Sequence, residues 1–128
     1  MNVSGAVARS SVFPSNQSGQ VVTMVLEGEI CERELKQVMQ MLFRITHRGV
    51  NRVVLDLSEV SHFDYRGVRP LKARAELFRE AGGDLKLSGL SPYLMAIFRS
   101  AGAHDAFDYF DQAHGAKEAF APPALACG

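Results

Sequence analysis

The segment from Arg52 to Gly67 constrains the fold more than any other part of the chain. Val53, Val54 and Leu55 form a continuous apolar run. Such a run suits a strand buried on both faces, as in a parallel sheet covered by helices. After Leu57 the chain turns polar through Ser58, Glu59, Ser61 and His62, and it then reaches Asp64-Tyr65-Arg66-Gly67. Beyond that point Leu71, Ala75 and Phe78 recur at helical spacing. The segment therefore reads as a strand over 52–57, a short loop, and a helix from about Gly67 to Ala81. In open α/β sheets, strand-to-helix loops of this kind hold the functional groups.

The flanking sequence repeats the alternation. Val12-Phe13 suggests a short first strand ended by Pro14, and 15–20 reads as a turn. Val21 to Leu26 is a second strand, with Gly28 as its end. Glu32 to His47 is a helix, because Leu35, Val38, Met39, Leu42 and Ile45 make one apolar stripe and Gly49 supplies a stop. Gly82-Gly83 ends the helix after the central strand. Leu85 to Ser88 is a short strand. Ser91-Pro92 is a cap followed by a first-turn proline, opening a helix to about Ser100 with Leu94, Ile97 and Phe98 facing inward. Ala106 to Phe110 reads as a last strand, and 111–120 as a final helix ended by Ala121-Pro122-Pro123. The order is β-β-α-β-α-β-α-β-α, which predicts an α/β domain built on a helix-covered, mainly parallel sheet. One domain over 12–120 is expected, with a flexible N-terminus over 1–11 and a loose tail over 121–128.

Composition narrows the function classes. The chain has 128 residues, 47% hydrophobic and 22% charged. That is ordinary for a globular domain, which at this size buries roughly two-thirds of its unfolded surface. The formal net charge is zero, which argues against a nucleic-acid binder relying on bulk charge. It also gives little colloidal repulsion, so self-association is compatible with the sequence. No window approaches the ~20 apolar residues of a membrane-spanning helix. The first residues carry no signal-peptide pattern, so a cytoplasmic location is expected without membrane insertion.

Cys31 and Cys127 are too few and too distant in sequence for a disulfide scaffold. His47, His62, His104 and His114 lack ligand spacing, so no metal is expected. Asp56 ends a central strand, as does the phosphoacceptor of receiver domains. Yet no acidic pair follows the first strand and no lysine ends a later one in the matching setting. A phosphate-binding Gly-Lys loop and a Gly-x-Ser-x-Gly elbow are both missing. The residues point away from an enzyme and imply no cofactor.

Several segments, in this order and spacing, resemble the STAS family of anti-sigma factor antagonist domains. Gly28-Glu29-Ile30 is similar to the family's turn into its first helix. The run 54–60 is similar to its central strand, and Asp64 and Gly67 match its signature loop. The stretch 82–89 resembles its Gly-Gly, strand, Gly segment, and 91–102 its third helix. The resemblance implies a single domain with a small mixed sheet and helices mainly on one side. It implies a protein-binding module, with an anti-sigma factor or related serine-kinase-like ATPase as partner. It leaves open a second context, as a STAS accessory subunit of an ABC-type lipid or anion transporter.

In that family the loop usually ends Asp-Ser-Ser/Thr-Gly, and a hydroxyl there is the phosphorylation switch. Here the two hydroxyl positions hold Tyr65 and Arg66. Arg66 places a fixed cation where the family places serine or threonine, and a phenol reaches several ångströms further than a serine hydroxyl. No phosphorylation is therefore expected at Tyr65 or Arg66. The resemblance makes Asp64, Tyr65, Arg66, Gly67 and Arg69 the partner-binding loop. The residues themselves also allow plainer roles: Asp64 as a capping carboxylate, Gly67 as a close-packed or positive-φ position that caps the helix, and Arg66, Arg69, Lys72 and Arg74 as a solvated helix face. Cys31, just before the first helix, is expected to be an inert thiol, although a helix N-terminus can acidify one.

Overall fold

The structure, a computed structural model, describes residues 9–14 and 20–120, with side chains from residue 21 onward. Residues 15–19 of the expected turn over 15–20, the tail over 121–128, Cys127 and most of the expected flexible N-terminus lie outside the described residues, and Gln20 instead begins a strand. The elements run β1 (Arg9–Pro14), β2 (Gln20–Ile30), α1 (Glu32–His47), β3 (Arg52–Phe63), a single 3-10 turn (Tyr65–Gly67), α2 (Val68–Glu80), β4 (Asp84–Ser88), α3 (Pro92–Ser100), β5 (Tyr109–Phe110) and α4 (Ala113–Glu118). The order is the one the sequence predicts. The strands form one sheet in sequential order β1-β2-β3-β4-β5. β1 is antiparallel to β2, whereas β2, β3, β4 and β5 are parallel neighbours. Each parallel pair is joined through a helix, as parallel crossovers require.

Burial of β3 on both faces explains its apolar run. Val53, Leu55 and Leu57 point into the main core with Leu85 and Leu87 of β4, against Val38 and Leu42 of α1, Leu71, Ala75 and Phe78 of α2, and Leu94 and Phe98 of α3. Val54 points the other way, into a smaller cluster with Val21 and Ala116 that Ala113, Phe110 and Phe120 flank. Successive strand residues alternate faces, so one run serves two cores. Among the described residues, three helices therefore cover one face and α4 covers the other.

Beneath α4 lies Lys86, a buried cation. Its Nζ contacts Asp84 Oδ2 at 3.0 Å and Asp108 Oδ2 at 2.9 Å, and sits 4.7 Å from the Phe120 ring centre. Arg79 adds a 2.7 Å contact to Asp84. Burial alone would push the Asp84 carboxyl up. The hydrogen bonds from Lys86, Arg79 and the Leu85 N–H outweigh it and hold the group below its usual value. Burial likewise works against the Lys86 charge, but Asp108 and Asp84 prevail and raise its pKa.

The helices and β4 begin and end near their expected bounds, whereas the other strands do not. β2 continues past Gly28 to Ile30, and β3 runs to Phe63 instead of stopping at Leu57. The expected loop over 58–63 is paired strand: Glu27 faces Glu59, Gly28 faces Val60 and Ile30 faces Phe63, across two register shifts. Gly28, at φ 84°, sits at one of these bulges and re-aims the strand without ending it. β1 begins at Arg9, ahead of the expected Val12, because its ladder with β2 extends from Pro14 opposite Gln20 to Arg9 opposite Val25. The last strand shrinks from the expected 106–110 to Tyr109–Phe110. Ala106 is taken up in a turn to the Ala103 carbonyl, and Phe107 is buried in the core.

Two measurements test this packing. A Cβ on Gly83 would stand 1.7 Å from the Asn51 carbonyl oxygen, which also accepts the Asp84 N–H. Backbone cannot yield as a side chain can, so Gly83→Ala is expected to cost about 1–3 kcal/mol or more in urea denaturation. The second concerns Asp84. Its pKa is depressed in the fold, so its stabilisation is complete above the unfolded value of about 4 and is lost as pH falls through the folded one. Asp84→Asn is expected to melt below the parent at neutral pH, with the gap closing as the pH falls below the ordinary aspartate value of about 4 in a circular-dichroism series.

Candidate functional site

The loop 64–67 stands at the end of the β2–β3 ribbon. Its entry is anchored by the Asp64 N–H, which donates to the Ile30 carbonyl at 2.8 Å. The side chains before it, Ile30 and Phe63, are buried, and the Phe63 ring lies 5.1 Å from that of Phe98. Asp64 then caps the 3-10 turn. Its Oδ1 accepts the Arg66 N–H at 3.0 Å, and its carbonyl accepts the Gly67 N–H at 2.8 Å. Gly67 caps α2, with Pro70 inside that helix's first turn, where the missing N–H is harmless. Gly67 has φ −86°, so close approach is what requires glycine here. A Cβ would stand 2.2 Å from Leu35 Cδ2 on α1.

The Arg66 side chain folds back onto the same carboxylate. Its Nε donates to Asp64 Oδ1 at 3.2 Å and its terminal amine to Oδ2 at 3.0 Å, a two-pronged pair. These hydrogen bonds, and the charge behind them, hold the Asp64 carboxyl below the usual carboxylate range and push the Arg66 guanidinium up. Tyr65 is 57% exposed, and Arg69 is exposed as well.

The structure thus brings Asp64, Tyr65, Arg66 and Gly67 together and sets Arg69 on the adjoining turn of α2. It does not bring Arg74 to them. The Arg74 guanidinium instead lies 5.9 Å from the Phe43 ring centre, because that part of α2 packs on α1.

Two neighbours escape a reading of the sequence. His62 Nδ1 and the Tyr93 hydroxyl are 2.7 Å apart, joining β3 to the exposed start of α3 beside the loop. Tyr93 is a lone aromatic on a helix, and no local signal links it to a histidine 31 positions away. On the other flank a cleft of about 630 Å³ is lined by Gly28, Glu29, Cys31, Glu32, Arg33, Glu34 and Ser61. Cys31 is exposed, and partial desolvation, with the charges of Glu29, Glu34 and Asp64, pushes its thiol up. Desolvation and the nearby carboxylates therefore disfavour the thiolate.

Asp56 is half-buried and accepts from the Ser58 N–H at 3.1 Å and the Ser88 hydroxyl at 3.4 Å, a structural arrangement. Among the described residues no three His, Cys, Asp or Glu side chains come together as a metal site.

A family model, the STAS domain, matches residues 13–116, a span that includes this loop. The chain belongs to the STAS domain family. This STAS domain is 27% identical over 95 residues to BtrV of Bordetella bronchiseptica, a relative described as an anti-sigma factor antagonist, covering 74% of this chain and 82% of that one. Its fold matches a crystal structure of an anti-sigma factor antagonist from Mycobacterium paratuberculosis, with TM-score 0.72, 18% identity, and coverage of 89% and 94%. It also matches the anti-sigma factor antagonist SpoIIAA in its unphosphorylated form, with TM-score 0.67, 16% identity, and coverage of 87% and 96%. No helix among the described residues of the STAS domain is long and apolar enough to cross a membrane.

The Asp64–Arg66 pair has a direct test. With Arg66→Ala the two side-chain donors and the neighbouring charge are gone, so the Asp64 carboxyl is expected to titrate at a higher pH, nearer the ordinary aspartate value. A carbon-detected NMR titration of the carboxyl checks this. The melting temperature is expected to change little, because the pair lies at the surface.

Proposed function

We propose that this STAS domain is a non-enzymatic protein-interaction module, an anti-sigma factor antagonist-like regulator acting in the cytoplasm. On this reading it docks an anti-sigma factor or a related serine-kinase-like ATPase through Asp64, Tyr65, Arg66, Gly67 and Arg69, without the family's phosphoserine switch.

The observation that carries the reading is the two-pronged Asp64–Arg66 pair at a family hydroxyl position. A phosphoryl group brings about two negative charges to such a site. Arg66 instead holds a permanent positive charge there, locked onto the loop's own carboxylate. The loop keeps one charge state, so the partner's state or abundance sets the extent of binding. The exposed Tyr65 beside it, with His62 and Tyr93 on the flank, supplies amphipathic area of the type enriched in protein interfaces. The identity to BtrV supports the same class of partner.

An affinity pull-down with the full chain, read by mass spectrometry, tests the reading, with Arg66→Glu as the paired bait. An anti-sigma ATPase or signalling kinase is expected with the parent and absent with Arg66→Glu. Phosphopeptide mapping after exposure to the recovered kinase is expected to find residues 61–66 unmodified, and a phosphate there sinks the missing-switch reading. Recovery of a permease or transporter ATPase instead moves the protein to the transport-accessory class.

A further inference from the structure

The second face of the sheet is closed by a weak element. α4 is six residues long. An isolated helix shorter than about 12–15 residues is marginal in water, so α4 depends on what it packs against. Ala116 is its one buried residue. Among the described residues the cluster it joins holds Val21 and Val54 besides, with Ala113, Phe110 and Phe120 at the margin. The helix also starts poorly. Gln112, at its N-cap, makes no side-chain cap hydrogen bond, and no acid stands in the first turn. Gly115 sits in its middle, although no close approach requires glycine there. A Cβ added to it would meet the Phe110 ring at 3.8 Å, an ordinary contact. Glycine is a poor helix former, so the sequence weakens α4 without a steric reason.

β5 holds the near end of this segment. The Tyr109 hydroxyl donates to the Ala103 carbonyl at 2.8 Å, and its ring meets those of Phe98 and Phe107 in the main core. The Phe110 carbonyl accepts the Gly89 N–H at 2.9 Å. Asp111 and Gln112, both exposed, follow. The chain from Asp111 onward can therefore lift while β5 stays. Lifting it leaves Lys86 with both its acids, since Asp84 and Asp108 precede β5. The His114–Glu118 pair joins two residues of α4 itself and moves with it. Lys86 loses the Phe120 ring, 4.7 Å from its Nζ, and gains water. A cation that keeps its partners and is rehydrated is not stranded by such a movement.

We propose that α4 is a strap that opens as a unit from Asp111 while the rest of the domain stays folded, and that its opening uncovers Val21, Val54 and the Lys86 amine on the second face of the sheet. Closed, the strap withholds that amine and the apolar side chains around it. Open, it presents them together without disturbing the three-helix core. Elements with few buried side chains are the ones that open below global unfolding. The device is separate from the partner loop and does not rest on the reading of that loop.

Native-state hydrogen exchange of the isotopically labelled full chain, followed by NMR in urea below the unfolding transition, tests this. The reporters are the N–H groups of Ala116, Ala119 and Phe120, whose acceptors are the Gln112, Gly115 and Lys117 carbonyls of the same segment. They are expected to be measurably protected, yet about a hundredfold or more less than Val54 and Leu55 of β3, and nearly insensitive to urea. Gly115→Ala is expected to raise their protection about fivefold. Acylation of Lys86, read by peptide mass spectrometry, is expected to slow by the same factor, while exposed Lys36 reacts unchanged. Reporters with the protection and urea slope of β3 open only with the whole fold and overturn the proposal. Reporters without protection overturn it as well, because then no strap closes. Lys86 acylation that ignores Gly115→Ala overturns the gating of the amine. The comparison of α4 with β3 uses the native chain, so it stands whether or not the variant folds.

Discussion

The loop has its shape because β2 and β3 stay paired to their last residues. The pairing of Ile30 with Phe63 brings two buried side chains to the end of the sheet and leaves the Ile30 carbonyl facing the next N–H, that of Asp64. Burying side chains of this size is worth about 2–3 kcal/mol each. That is enough to hold a ribbon which has outrun β4 as a neighbour. Both functional flanks follow from it. α1 starts directly after Ile30, and the 3-10 turn into α2 starts directly after Asp64. Gly67 then lets α1 and α2 approach through Leu35.

The charges divide into two kinds. Around Lys86 the carboxylates and cations are paired, with Lys86 and Asp84 sheltered, and they tie α2 to β4 and β4 to the segment before β5. Around the loop the pair is exposed, so its energetic weight is small. Its importance is geometric: a two-pronged contact gives a long side chain one preferred place at the mouth of the site. Arg74 belongs to neither kind. Its Nε is shielded by packing and has no hydrogen-bond partner, while its guanidinium lies beside the Phe43 ring.

Much of this was legible in residue order. α1 spans Glu32–His47 as its apolar stripe and Gly49 suggest, and α3 starts at Pro92 behind the Ser91 cap, whose hydroxyl accepts the Leu94 N–H at 3.1 Å. Those signals are local, within one or two helical turns. The extent of β2 and β3 was not legible. Ser58, Glu59, Ser61 and His62 look like loop because the ribbon has one wet side, and Gly28 looks like a stop although it serves a bulge. Likewise Arg66, Arg69, Lys72 and Arg74 look like one basic face until α1 is packed against α2 and draws Arg74 away.

The sequence by itself determined the element order, the α/β class, the helix-covered parallel sheet and the replacement of the loop's hydroxyls by Tyr65 and Arg66. Each is written in spacing and side-chain type along a short window. Only the tertiary structure decided that Arg66 closes on Asp64, that His62 meets Tyr93, that Lys86 is buried between two acids and that Arg74 is shielded beside Phe43. These are contacts between segments, or choices of side-chain direction. They are set by how strands pair and helices pack, which one-dimensional patterning does not specify.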